Sequence, residues 1–384
     1  MDVVEETVRY TYRLRPGRTA LSALANEWHR CRWLWNECVR LQRDGHRPTM
    51  KMLGAELTAA RSRAPWLREG SQVAQQQMLR SYDQALRHSF QVKGRGRPTM
   101  KSRRRTPPSL EYTKRGFSIR DGRLVLPKGV SIPVVWSREL PSEPTSVRVY
   151  RDSLGHWYAS FVVRREREEL PEVEGGIGID WGVSATATTT SPEHDLPHLG
   201  HRHRSAAELA KAQRQMSRRR RPRGHQQSKG YKRAKLGAAK ATRKAERRNT
   251  HEGRAWARKV VADHQTIAVE DFKPKFLAKS TMARKAADNA IGTVKRTLVE
   301  YAERAGRTVV MVEPAYTTMT CSSCFARNKR LGLGERTFLC PNCGYTDSRD
   351  RNAARVILAV AERGHTSVES VRHSMPPSGV SGAA

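Results

Sequence analysis

The stretch GGIGIDWGVSATATTT, residues 175–190, reads as a buried strand, a turn and a second alternating segment, which suggests a hairpin. Its apolar first part ends on an acid, Asp180. A carboxylate at the end of a buried strand is costly to desolvate unless something compensates. The arrangement recurs in TIAVEDF (266–272), where Glu270 closes a short buried strand, and a third acid, Asp350, stands at the start of a helix over about 350–363. A divalent cation compensates, and three converging carboxylates hold one or two magnesium ions. Two such ions about 4 Å apart activate a water and stabilise the leaving oxygen of a phosphodiester. The other reading is three separate acids capping strands or a helix, and Asp350 in particular is a good helix N-cap. The shared strand–strand–helix setting favours convergence. Gly178 and Gly182 flank Asp180 and leave room for a backbone to approach.

Outward from these acids, residues 205–263 read as helical and very basic, with sixteen Lys/Arg against the single acid Glu246 between 211 and 248. A helical pair with one face towards a nucleic-acid backbone fits this pattern, and Arg218, Arg219, Arg220 and Arg221 form its densest run. Residues 283–304 read as one amphipathic helix and 307–314 as a further strand. Cys321, Cys324, Cys340 and Cys343 form CSSC and CPNC, fifteen residues apart. Each CxxC closes a tight turn holding two thiolates on one ion, and the two pairs complete a tetrahedron. Two such pairs at ribbon spacing read as a zinc site rather than a redox pair, and four thiolates leave no open position, so the metal is expected to be structural. Cys31 and Cys38 lie on the apolar stripe of a helix and read as core.

The first half is different. Residues 3–14 alternate as a strand, with Val4, Val8, Tyr10, Tyr12 and Leu14 on one face. Residues 19–43 and 71–91 read as amphipathic helices. Their ridges run Leu21, Leu24, Trp28, Cys31, Trp35, Cys38 and Ala74, Met78, Tyr82, Leu86, Phe90. KGRGRPTMKSRRR (93–105) carries seven basic residues and no acid, namely Lys93, Arg95, Arg97, Lys101, Arg103, Arg104 and Arg105, and reads as a phosphate-contacting loop. Residues 110–165 look all-β, and the N-terminal strand pairing with them would give a small barrel interrupted by helices. PEVEG (171–175) reads as a linker.

The whole chain of 384 residues carries 72 Lys+Arg against 37 Asp+Glu, a formal charge of +35. Clustered charge of that size points to nucleic acid bound along a long track. Its mean hydropathy is −0.72, with 37% hydrophobic residues, which excludes wholesale disorder. No apolar run reaches the roughly 18 residues of a membrane span. No signal-peptide stretch opens the chain, so a cytoplasmic protein acting at the nucleoid is expected.

GIDWG with Asp180, AVEDF with Glu270, EPAYTT before CSSC…CPNCG, and RDRNAA with Asp350 together resemble the TnpB family. These are transposon-encoded RNA-guided nucleases with a RuvC-like domain of RNase H fold, ancestral to type V CRISPR effectors. The resemblance covers about 174–363 and extends more loosely to the first half, where PTMKSRRR is like the family's basic loop. It implies a multidomain α+β protein. A wedge β-barrel spans 1–18 and 106–172, interrupted by a helical recognition domain at 19–105. The RuvC-like domain spans 173–316 and 346–364, with a zinc-ribbon module for loading target DNA at 317–345 and a disordered tail at 365–384. It further implies magnesium at Asp180, Glu270 and Asp350, zinc at the four cysteines, and a guide RNA and double-stranded target DNA as partners, with one or two protein copies on the RNA. Base pairing then supplies sequence recognition. The chain departs from the family at Trp181, at 317–319, at Phe325 in place of a glycine, and at Ser348 in place of an acid. Rival readings are a compact type V CRISPR effector, a guided DNA-binding repressor without cleavage, a transposase sharing the acidic triad, and a nuclease of structured RNA.

Overall fold

A computed structural model of the chain describes residues 5–46, 48–103, 105–167, 170–222, 224–272, 282–329, 331–332 and 334–374, without the Arg284 side chain. It divides into two units, Met1–Arg167 and Glu168–Ala384. No helix among the described residues is long and apolar enough to cross a membrane.

In the first unit, β1 (Glu5–Leu14) is followed by helices α1 (Arg18–Arg43), α2 (Met50–Arg63), α3 (Pro65–Arg68) and α4 (Gln72–Gln91). Strands β2 (Ser109–Thr113), β3 (Ser118–Arg120), β4 (Arg123–Leu126), β5 (Val130–Val135), β6 (Ser146–Arg151) and β7 (Trp157–Glu166) complete it. β1 pairs with β7 over its whole length and with β5 at Arg13 and Leu14, so it lies inside the sheet. The sheet order is β2-β6-β7-β1-β5-β4-β3. β2 and β3 are its two ends, so the expected barrel is a half-barrel. Helices α1 and α4 lie against β2 where a closed barrel would continue. Helices and sheet share one core that runs from Trp28, Cys31, Cys38 and Tyr82 to Tyr112, Ile132 and Phe161. Both cysteines are core residues, whereas Leu21 and Phe90, at the ends of the expected ridges, are exposed.

The second unit is built on a five-stranded sheet of order β10-β9-β8-β11-β12. Its strands are β8 (Gly176–Trp181), β9 (Ala185–Thr189), β10 (Leu196–Pro197), β11 (Thr266–Glu270) and β12 (Thr308–Val312). β8, β11 and β12 run parallel, and the β8–β9–β10 meander is antiparallel. Helices α5 (His201–Arg204), α6 (Ala206–Arg218) and α7 (Lys229–Asp263) cross from β10 to β11. α8 (Ala283–Asn289) and α9 (Ile291–Arg304) cross from β11 to β12. The single helix expected over 283–304 is thus broken, at Ala290, whose φ of 52° is left-handed. The break frees two buried polar side chains: Asp288 accepts from the Arg202 and His203 backbone N–H groups, and the Asn289 amide donates to the Gly182 carbonyl.

Alternation along β8 sorts the layers. Ile177, Ile179 and Trp181 pack with Trp256 and Val260 of α7 and Leu298 of α9. The opposite face takes α10 (Arg349–Glu362), which packs with β8. Between β12 and α10 the chain makes a small hairpin, β13 (Thr337–Leu339) with β14 (Thr346–Ser348), over its own cluster of Cys321, Phe338 and Cys340. Residues 365–374, expected within a disordered tail, are ordered by α11 (Val368–Ser374), whose Val368 and Val371 are buried with Val356 and Val360 of α10. Residues 375–384 lie outside the described residues.

Candidate functional site

β8 and β11 are neighbours with Ile179 opposite Val269, so the next residues, Asp180 and Glu270, emerge side by side at the ends of parallel strands. Both are 6% exposed. Gly176 and Gly178 share Asp180's face. A Cβ on Gly178 would lie 1.9 Å from the Ala354 carbonyl oxygen, and one on Gly176 2.8 Å from Leu358 Cδ1. The backbone for which Gly178 leaves room is therefore the chain's own α10, drawn close enough to carry Asp350 to Asp180. Gly182 closes the hairpin turn, where a Cβ would lie 3.0 Å from the Ala185 carbonyl oxygen. The three acids line one cleft of about 850 Å3 together with Thr317, Arg336 and Arg349.

Burial, then the charges of Glu270 and Asp350, hold the Asp180 carboxyl well above its ordinary range, with Arg349 opposing. Burial likewise pushes Glu270 up to about 7. Lys295, the Thr317 hydroxyl and the Trp181 backbone N–H oppose that shift. The Lys295 ammonium is itself engaged with the Glu270 carbonyl at 3.1 Å and Asp271 at 2.9 Å. Asp350 is more open, with the Arg349 guanidinium at 3.6 Å and that of Arg336 at 4.0 Å. Buried carboxylates whose ionised forms stay penalised despite these cations make an oxygen donor set that suits a hard divalent cation.

Among the described residues, the cluster whose ligand atoms all lie within 4.8 Å of one another is the four cysteines; the three carboxylates share their cleft at longer range. Cys321 and Cys343 sulfurs are 3.7 Å apart and those of Cys324 and Cys340 3.6 Å. The edge of a tetrahedron with metal–sulfur bonds of about 2.3 Å is about 3.8 Å, so the cage fits a tetrahedral thiophilic ion. Phe325, following CSSC, has a left-handed φ of 57°. That backbone region is one glycine enters without strain and a residue with a Cβ does not. Here the ring is buried, with Arg363 4.4 Å from its centroid. Ser348 caps α10, its hydroxyl accepting from the Arg351 backbone N–H at 3.2 Å.

The basic candidates divide. Lys93, Arg95, Arg97, Arg103 and Arg105 are exposed, as are Arg218, Arg219, Arg220 and Arg221 where α6 turns towards α7. Arg104 lies outside the described residues. Lys101 turns inward: its ammonium lies 3.3 Å from the Trp35 ring centroid and 3.7 Å from Met78 Sδ. The Trp35 indole donates to the Thr99 carbonyl and the Lys101 N–H to Asn36, each at 2.8 Å. Lys101 therefore fastens its loop to α1 instead of offering a free charge, and burial pushes it down to about 8. None of the α7 arginines stood among the named nucleic-acid candidates. Arg243, Arg247, Arg254 and Arg258 of α7, with Arg202 of α5, line a cleft of about 540 Å3. No described carboxylate pairs with Arg202, Arg247, Arg254 or Arg258. The signal was present as arginines recurring at helical spacing beyond the densest basic run.

Residues 160–281 match the OrfB/IS605 family, described as Probable transposase, and residues 292–357 match the Cas12f1-like TNB domain. A Streptomyces pristinaespiralis protein named "Putative RNA-guided DNA endonuclease" is 32% identical over 299 residues, covering 77% of this chain and 72% of that protein. The chain belongs to the TnpB family. InsQ of Escherichia coli, which bears the same name, is 25% identical over 399 residues, 96% of this chain and 95% of its own length. Cas12f1, solved with sgRNA and target DNA, superposes with a TM-score of 0.58 at 13% identity, covering 93% of this chain and 99% of that one. In this TnpB-family chain the first matched segment carries Asp180 and Glu270, and the second carries Asp350 and the four cysteines.

Proposed function

We propose that the chain is a transposon-encoded RNA-guided DNA endonuclease that cuts target DNA beside a short flanking motif by magnesium-dependent hydrolysis. The observation that carries this reading is the cleft holding Asp180 and Glu270 on neighbouring parallel strands with Asp350 on the facing helix. The strand order, three antiparallel then two parallel about β8, supports an RNase H-like domain of the RuvC kind. Asp180, Glu270 and Asp350 would hold magnesium, two ions at most, and the metal would supply the charge that activates a water and stabilises the leaving oxygen. The chain's own residues prepare that site. Thr317 and Lys295 favour ionised Glu270. Arg336, more than half exposed at the rim, offers a guanidinium to the incoming phosphodiester. The cysteine cage is assigned to zinc, since thiolates in a closed tetrahedron suit that ion.

Guide RNA and target DNA are the partners, neutralised by the exposed arginines of 93–105, of 218–221 and of the α7 cleft. The half-barrel and its helices would serve as the wedge and recognition parts. The test is to purify the protein from its native locus and sequence the RNA that accompanies it. The preparation, with magnesium, is then offered plasmids carrying the RNA's match beside a randomised flank. One enriched RNA, match-dependent cleavage and its loss in Asp180→Ala are expected. Absence of any enriched RNA overturns the guided reading, and match-dependent binding without cleavage replaces it with a guided repressor.

A further inference from the structure

Four successive side chains at the start of α10 reach four different places, as residues 100° apart on a helix must. Arg349 donates to the Gly332 carbonyl at 3.2 Å. Asp350 faces the carboxylate cleft. Arg351 grips Asp195 with both nitrogens, at 2.8 and 3.0 Å, and also donates to the Thr189 carbonyl. Asp195 in turn accepts from the Thr189 N–H at 2.7 Å, on the strand paired with β8 beside Asp180. Asn352 is wholly buried; its amide donates to the Thr320 carbonyl at 2.7 Å and its oxygen accepts from the Ser322 N–H at 2.9 Å. Those two bonds straddle Cys321. The same short segment begins at Thr317, fully buried, whose hydroxyl lies 3.5 Å from Glu270.

One short segment, 317–322, therefore touches Glu270 at one end and holds the Asp350 turn at the other, with a cage cysteine between. We propose that Asn352 is a positioning residue that couples the cysteine cage to the carboxylate site, with the Asp195–Arg351 pair as the opposing anchor. Filling the cage then sets how tightly Asp180, Glu270 and Asp350 hold a divalent ion. This rests on the nuclease reading above.

The test is manganese binding to the full chain, followed by electron paramagnetic resonance of free Mn2+, with zinc content measured alongside. Binding that Asp180→Asn removes defines the carboxylate site. Asn352→Ala is expected to weaken that binding about tenfold, the size of effect that outer-layer partners exert, with zinc retained. Cys343→Ser, at the exposed cage cysteine, is expected to weaken it in the same direction. Binding within about twofold of wild type in both variants overturns the proposal and leaves the nuclease reading standing. If the wild-type chain shows no site sensitive to Asp180→Asn, both fall. Should Asn352→Ala fail to melt cooperatively, Arg351→Lys and Cys343→Ser decide, and unchanged binding in both overturns the coupling.

Discussion

Glu270 lies where its ionised form is penalised, and this has a pH signature. Its folded-state value of about 7 exceeds the ordinary 4.5, so the native chain binds the proton more tightly than the unfolded one. Below about 4.5 both states are protonated and the site costs nothing; as pH rises through 7 the folded state must ionise a buried acid. Metal-free melting temperature should therefore fall between about pH 4.5 and 7 and level off above. Glu270→Gln should shrink that fall, leaving the share of buried Asp180, and magnesium should oppose it more in wild type than in the variant; scanning calorimetry across pH reads all three. Phe325 offers a second residue-scale test. Truncation to Ala removes a buried ring, a loss of roughly 3–5 kcal/mol, and keeps the left-handed backbone. Glycine sheds the backbone strain, about 1 kcal/mol or more, so Phe325→Gly should be more stable than Phe325→Ala, the reverse of the usual order.

The contact between β8 and α10 decides the element scale. Gly178→Ala would force a methyl group into the Ala354 carbonyl, which no side-chain rotation relieves. Overpacking of this kind costs about 3 kcal/mol or more, and Asp350 would retreat from Asp180. Denaturant melts should show the loss, and cleavage should fall more than guide RNA binding. Asp180, Glu270 and the cysteines were legible because strand-end acids and CxxC spacing are local patterns. What Gly178 is for was not, because its neighbour lies 176 positions away in sequence, at Ala354. Nor was the break at Ala290, since apolar periodicity continues across it and only the tertiary needs of Asp288 and Asn289 impose it. Lys101 misled for the same reason: a lysine among arginines reads as one more charge until Trp35 is seen beneath it.

The charge of +35 belongs to the molecule as a whole, and it predicts a salt dependence more than an affinity. Each phosphate contact contributes close to one to the slope of log affinity against log salt. Replacing Arg247, Arg254 and Arg258 by Gln, one at a time, should lower that slope by about one each without altering the carboxylate cleft, measured by filter binding across salt. A basic composition reveals a polyanion partner but not which cations face it, because arginine looks the same in sequence whether stacked, paired or free. The Trp35–Lys101 stack turns that ambiguity to experimental use. An ammonium held against an indole perturbs its emission, so displacing the 93–105 loop from α1, or deprotonating Lys101 near pH 8, should change the fluorescence of Trp35. The first unit thus carries a label-free optical gauge of whether its basic loop stays docked when a polynucleotide arrives.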